Sequence, residues 1–261
     1  MRPAAWAYPP EFPPLHANEV HVWQVHLDLP PVQLQPLCSL LSGDERARAA
    51  LLQDPVRRER FVTGRALLRT LIACYAQRDP KDLTFSYGAY GKPFLDLDEG
   101  TNGLQFNVSH SGEVALYAFA RGRRVGVDIE QIRQGLPLDQ LAKRVLSTDE
   151  AMWFRTLPDR FKTRAFFHCW TRKEAYTKAV GAGCAFGLRR LTVTLLQTES
   201  PVSVPVVGEP QESTRWSMID LTPRRGYAAA LVVEHHQWRL RCLQWPQRSP
   251  VRSRSDLLEM G

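Results

Sequence analysis

One pattern constrains the fold of this 261-residue chain more than any other: a strand, then helices, then strands, and the same order over again. The first round opens at Glu19–Leu29, where Val20, Val22, Val25, Leu27 and Leu29 keep an apolar period of two with one slip near Trp23. Pro30-Pro31 breaks it. Helical periodicity follows over 32–41, 44–53 and 55–77, the last with Phe61, Leu68, Leu71 and Ile72 on one face. Short strands are predicted at 83–87, 93–97 and 104–108, and 113–121 with 124–132 read as a hairpin turning at Gly122. The second round places helices at 138–145, 148–156 and 159–180, strands at 189–197, 215–221, 226–234 and 237–245, and a loop or ragged hairpin rich in Pro, Gly, Ser and Glu at 198–214. The expectation is an α+β protein whose lobes, 19–130 and 131–245, are similar and meet at a cleft, although no sequence identity links the halves. Residues 1–18 read as an irregular lead-in, and 246–261 as a disordered basic tail.

With 44% hydrophobic and 23% charged residues the chain is globular, and 34 basic against 27 acidic residues give a net charge of +7, which favours an anionic partner. Cys38, Cys74, Cys169, Cys184 and Cys242 are odd in number and form no C-x-x-C pair, so the pattern points to neither a disulfide framework nor a zinc site but to a reducing cytoplasm. The start of the chain is Pro-rich without an apolar core, and no later segment has the apolar length to span a bilayer, so export and membrane insertion are not expected.

Chemistry concentrates in two places. In Trp170-Thr171-Arg172-Lys173-Glu174-Ala175-Tyr176-Thr177-Lys178, Glu174 and Lys178 stand four apart and share a helix face; the plain reading is a solvated ion pair. In Val125-Gly126-Val127-Asp128-Ile129-Glu130, two acids two apart project from one face of an apolar strand. Either that strand runs out into solvent, or a divalent cation offsets the repulsion, with Glu174 as a third oxygen ligand. Oxygen ligands without Cys or His favour Mg²⁺, with Mn²⁺ as a substitute, and hence a phosphate-bearing substrate. Upstream, Phe106-Asn107-Val108-Ser109-His110-Ser111-Gly112 ends a strand in a polar turn suited to a phosphate, Tyr90-Gly91-Lys92-Pro93 sets a lysine in a tight turn, and Gly64-Arg65-Ala66-Leu67-Leu68-Arg69 follows Arg60 in the long helix.

Taken in order, G-R-x-L-L-R, G-K-P, F-N-V-S-H-S, G-V-D-I-E and W-T-R-K-E-A-x-x-K resemble the 4′-phosphopantetheinyl transferases, in particular the two-lobed Sfp type, over roughly residues 20–240. The resemblance implies a pseudo-two-fold monomer with its active site between the lobes. It also implies transfer of phosphopantetheine from coenzyme A to a serine of an acidic carrier protein, releasing adenosine 3′,5′-bisphosphate. By the same resemblance Asp128, Glu130 and Glu174 match magnesium ligands, Glu174 the base toward the carrier serine, and Lys178 the lysine that steadies the pyrophosphate. Arg48, Arg60, Lys92 and His110 fall where the family grips the phosphates of the coenzyme, with Asn107 and Ser109 in the same loop. Glu45 stands where the Sfp type often has a lysine, which leaves Arg46, Arg57 and Arg58 as further candidates. Ala182, Cys184, Phe186 and Leu188 occupy the region that receives the carrier, or are ordinary packing.

Three other readings compete. A basic nucleic-acid-binding protein rests on charge alone, with no helix-turn-helix, RNP, KH or zinc pattern, and no nucleic-acid partner is expected. A different Mg²⁺-dependent phosphotransferase lacks a G-x-x-x-x-G-K-[ST] loop. An idle scaffold that only docks on carriers has no reason to keep acids at 128, 130 and 174.

Overall fold

The computed structural model describes residues 5–88, 93–95, 103–182, 187–193, 200–204 and 210–246. Two four-stranded sheets form its centre. The first consists of β1 (Glu19–His26), β4 (Leu104–Ser111), β5 (Val114–Arg121) and β10 (Arg239–Gln244) in the order β10-β1-β5-β4. The second consists of β6 (Val125–Gln131), β7 (Val202–Ser203), β8 (Trp216–Leu221) and β9 (Tyr227–Glu234) in the order β6-β9-β8-β7. A separate pair, β2 (Phe85–Tyr87) and β3 (Pro93–Leu95), flanks the first lobe. Before β4 come α1 (Pro31–Cys38), α2 (Gly43–Ala50) and α3 (Pro55–Ala76); after β6 come α4 (Leu138–Val145), α5 (Thr148–Thr156) and α6 (Asp159–Val180); α7 (Pro210–Arg215) leads into β8. Among the described residues no helix is long and apolar enough to cross a membrane.

Strand alternation makes three cores. On β1, β5, β6 and β9 one face, including Val20, Val22, Leu116, Ala118, Val127, Ile129, Ala229 and Leu231, packs between the two sheets. The opposite faces pack outward, Trp23, Val25, Tyr117 and Phe119 against α3, and Ala228, Ala230 and Val232 against α6. Buried on both sides, the central strands β5 and β9 read as continuous apolar runs, VALYAFA and YAAALVV.

The lobes do share a sequence signature. Leu41-Ser42-Gly43-Asp44-Glu45 and Leu146-Ser147-Thr148-Asp149-Glu150 each form a capping box at the start of the second helix of their lobe. Each box glutamate is buried and paired with a cation of the third, 22-residue helix: Glu45 with Arg69 at 2.6 Å and Arg65 at 2.7 Å, Glu150 with Lys173 at 2.6 Å. Strand, capping-boxed helix, long helix and paired strands thus recur, and a pseudo-two-fold axis relates the halves.

Several expectations are corrected. The segments at 113–121 and 124–132 do not form a hairpin: β5 has both edges occupied by β1 and β4, so after the Gly122 turn the chain crosses to the other sheet and β6 pairs with β9. Sheet pairing also divides the lobes differently from 19–130 and 131–245, because β6 belongs to the second sheet and β10 runs parallel to β1 in the first. In place of a strand at 189–197, Leu188–Arg190 is a 3-10 turn, and 194–197 lies outside the described residues. Of the loop or ragged hairpin expected at 198–214, the described part contains β7, which pairs antiparallel with β8, and the unexpected helix α7. The described part of the lead-in, 5–18, carries no helix or strand yet is tied down: Ala7 exchanges backbone hydrogen bonds with Cys242 and Gln244, and Phe12 stacks on Trp23 at 5.4 Å.

Candidate active site

The two sheets meet where β4 runs beside the open edge of β6, and side chains bridge the gap that backbone groups leave. The amides of Val127, Ile129 and Gln131 donate to Asn107 Oδ1 at 2.9 Å, Ser109 Oγ at 3.4 Å and Ser111 Oγ at 3.0 Å. Residues two apart on β4 therefore satisfy donors two apart on β6, a ladder made of side-chain oxygens.

On β6, Val125, Val127 and Ile129 enter the core between the sheets, which turns Gly126, Asp128 and Glu130 toward α6. A Cβ on Gly126 would lie 2.0 Å from the Ala175 carbonyl oxygen and 2.4 Å from the Ala179 nitrogen, so only glycine admits the helix this close. Glu174 and Lys178, each beside one of those alanines and one turn apart, are thereby brought against the acids of β6.

A cleft of about 290 Å³ results, lined by Val108, Ser109, His110, Asp128, Glu130, Trp170, Glu174 and Lys178. Lys178 Nζ lies 2.7 Å from Asp128 Oδ1 and 2.8 Å from Ser109 Oγ, and Ser109 donates to Asp128 Oδ1 at 2.8 Å. Asp128 is only 4% exposed, and its Oδ2 is buried without a hydrogen-bond partner. Glu130 accepts from Ser111 Oγ at 2.7 Å. Burial, foremost, and then the charge of Asp128 raise the Glu174 carboxyl above the ordinary range, against the pull of Lys178. Burial likewise raises Glu130, against the Ser111 hydrogen bond. His110, exposed at the rim, is lowered by desolvation along the cleft wall and by Lys178 and Arg60.

Among the described residues no three His, Cys, Asp or Glu side chains converge closely enough to hold a metal as they stand; the ammonium of Lys178 meets Asp128 instead. The donor set nonetheless fits a hard divalent cation: three carboxylates face one cleft, two with raised pKa, and one buried oxygen lacks a partner.

Asp128, Glu130, Glu174, Lys178, Ser109 and His110 are thus brought together. The other expected residues are not. Asn107 is buried in the ladder, its oxygen taken by the Val127 amide, and it does not line the cleft. Arg60 forms a two-pronged pair with Asp28 at 2.6 and 2.8 Å, and Arg48 lies over the Phe61 ring at 5.5 Å. Arg46 donates to the Leu41 carbonyl, Arg58 to the Leu52 carbonyl, and Arg57 pairs with Asp54 at 3.5 Å, so each is held within its own lobe. Lys92, Cys184 and Phe186 lie outside the described residues. Two contributors had no role assigned from sequence: Trp170, one turn before Glu174 and so on the same helix face, and Ser111, two residues beyond Ser109 on the same strand face.

Residues 124–232 match the 4′-phosphopantetheinyl transferase superfamily, and residues 31–121 match the 4′-phosphopantetheinyl transferase N-terminal family. The chain is 39% identical to the 4′-phosphopantetheinyl transferase HetI of a Nostoc species, over 89% of this chain and 95% of that protein. It is 30% identical to a phosphopantetheinyl transferase of a Thraustochytrium species over 75% of this chain and 71% of that one, and 29% identical to Sfp of Bacillus subtilis over 67% and 77%. With an HetI match running nearly end to end and family matches on both lobes, the chain belongs to the 4′-phosphopantetheinyl transferases, enzymes that load phosphopantetheine onto carrier proteins.

Proposed function

We propose that this cleft moves the 4′-phosphopantetheine of coenzyme A onto a serine hydroxyl of an acidic apo carrier protein, with Mg²⁺ held by Asp128, Glu130 and Glu174. The observation that supports it most is the placing of Glu174, with its raised pKa, one helical turn from Lys178 in one cleft. The serine oxygen forms a bond to the phosphorus next to pantetheine, the bond from that phosphorus to the bridging oxygen breaks, and adenosine 3′,5′-bisphosphate leaves. The serine proton passes to Glu174, whose carboxylate is made a stronger base by burial. Lys178, already held by Asp128 and Ser109, supplies positive charge to the departing pyrophosphate oxygen. A bound divalent cation supplies charge neutralisation on the pyrophosphate. His110 at the rim and Ser109 below it are the cleft's own candidates to meet phosphate oxygens. Both lobes line the cleft, Ser109 and His110 from one and Asp128, Glu174 and Lys178 from the other, and we take the chain to act as a monomer, as in the two-lobed Sfp type. The excess of seven positive charges assists encounter with an acidic carrier.

The test is to incubate the chain with coenzyme A, Mg²⁺ and a panel of apo carriers and to read each carrier's intact mass. A gain of one phosphopantetheine that disappears with chelator and with Glu174→Ala is expected. A gain that survives both would remove the cation and Glu174 from the mechanism.

A further inference from the structure

Ser111 ends β4 as the last rung of the side-chain ladder, and it differs from the other two. Asn107 holds only a backbone amide, and Ser109 is shared between Asp128 and Lys178. Ser111 Oγ accepts from the Gln131 amide at 3.0 Å and donates to Glu130 Oε2 at 2.7 Å. A hydroxyl has one hydrogen to give. With its oxygen fixed by the amide, that hydrogen is directed at the carboxylate beside it. Among the described residues Glu130 has no ion-pair partner, so this bond is what orients its carboxylate. Ser111 itself is half-buried and does not line the cleft.

We infer that Ser111 is a positioning residue for Glu130: its hydroxyl, pinned by the Gln131 amide, holds the Glu130 carboxylate in place for a divalent cation and takes no part in binding coenzyme A. The inference rests on reading the cleft as a cation centre. Hydrogen bonds to ligating carboxylates fix their orientation, and their loss characteristically weakens metal binding.

The test uses the full chain without turnover. Free Mn²⁺ is counted by electron paramagnetic resonance, and coenzyme A affinity is measured by calorimetry without metal. Ser111→Ala is expected to weaken Mn²⁺ binding roughly tenfold with coenzyme A affinity unchanged, and Ser111→Thr, which keeps the hydroxyl, to restore most of the loss. Wild-type Mn²⁺ affinity in Ser111→Ala, or equal loss of Mn²⁺ and coenzyme A affinity, would overturn the inference. If Ser111→Ala fails to fold, Ser111→Cys, similar in size but a weaker donor, carries the same expectation. Mn²⁺ bound equally by wild type and Ser111→Ala but lost in Glu130→Ala defeats the role of Ser111 alone. A wild-type chain that binds no Mn²⁺ defeats the cation centre and the role of Ser111 with it.

Discussion

Lys178 Nζ sits 2.7 Å from Asp128 Oδ1, joining the last turn of α6 to the edge strand of its own sheet, while Ser109 from the other lobe bonds both partners. One ammonium therefore belongs to a contact spanning three elements. Lys178→Ala is expected to lower kcat about 100-fold or more, since it removes the charge aimed at the leaving group. Steady-state kinetics with coenzyme A and an apo carrier that the wild type loads check this; activity within threefold of wild type, roughly 0.7 kcal/mol, would exclude that role.

Gly126→Ala is expected to cost about 3 kcal/mol of stability, because backbone of α6 occupies the position of the new methyl and neither element can yield cheaply. Chemical denaturation reads the loss. The same change pushes Glu174 and Lys178 away from Asp128, so activity falls even under conditions where the variant is fully folded.

Glu174→Gln separates stability from catalysis. A carboxyl whose pKa is raised by folding favours the fold below its unfolded value and loses that contribution as pH rises through the folded value, so near neutrality its charge opposes folding. The amide is expected to raise the thermal midpoint at pH 7 and to abolish transfer. A lowered midpoint would show that the charge at 174 is a net support.

Acid sensitivity should come from two buried histidines. His21 and His168 are held down to about 4, chiefly by burial, against an ordinary value of 6.5. A depressed pKa gives stability that is complete above the unfolded value and lost as pH falls through the folded one. Each therefore withdraws up to about 3 kcal/mol between pH 6.5 and 4. His21 Nδ1 lies 2.7 Å from the Tyr75 hydroxyl, which also accepts from Trp23 Nε1 at 2.8 Å, so the neutral ring is part of a core network. Thermal midpoints measured from pH 7.5 to 4.5 should drop steeply in wild type and less steeply in His168→Gln. Parallel curves would rule out His168 as a source of the lability.

Local spacing made the centre of the site legible. Positions 174 and 178 share a helix face, and 128 and 130 a strand face, whatever surrounds them. Long-range partners were not legible: Asp28 is 32 residues from Arg60 and Glu45 is 24 from Arg69, and no periodicity says which carboxylate an arginine will meet. The hairpin at 113–132 was misread for a related reason. Gly122 signals that the chain reverses, whereas pairing depends on which strand edge is still free, and β1 had already occupied the edge of β5. The matching Leu-Ser-x-Asp-Glu segments lay open in the sequence, and their meaning emerged only once both glutamates were seen to be buried against a cation of the long helix.

The parallel pairing of β10 with β1 bears on the order in which the protein matures on the ribosome. Among the described residues every strand of the second sheet lies between residues 125 and 234, so that sheet has these pieces before residues 239–244 emerge. The first sheet, begun at residue 19, must wait for those last residues to cover the open edge of its opening strand. The half made first is therefore the half finished last, and a nascent chain interrupted before residue 239 would carry a completed second sheet beside an exposed strand edge, the surface on which chaperones and aggregation compete.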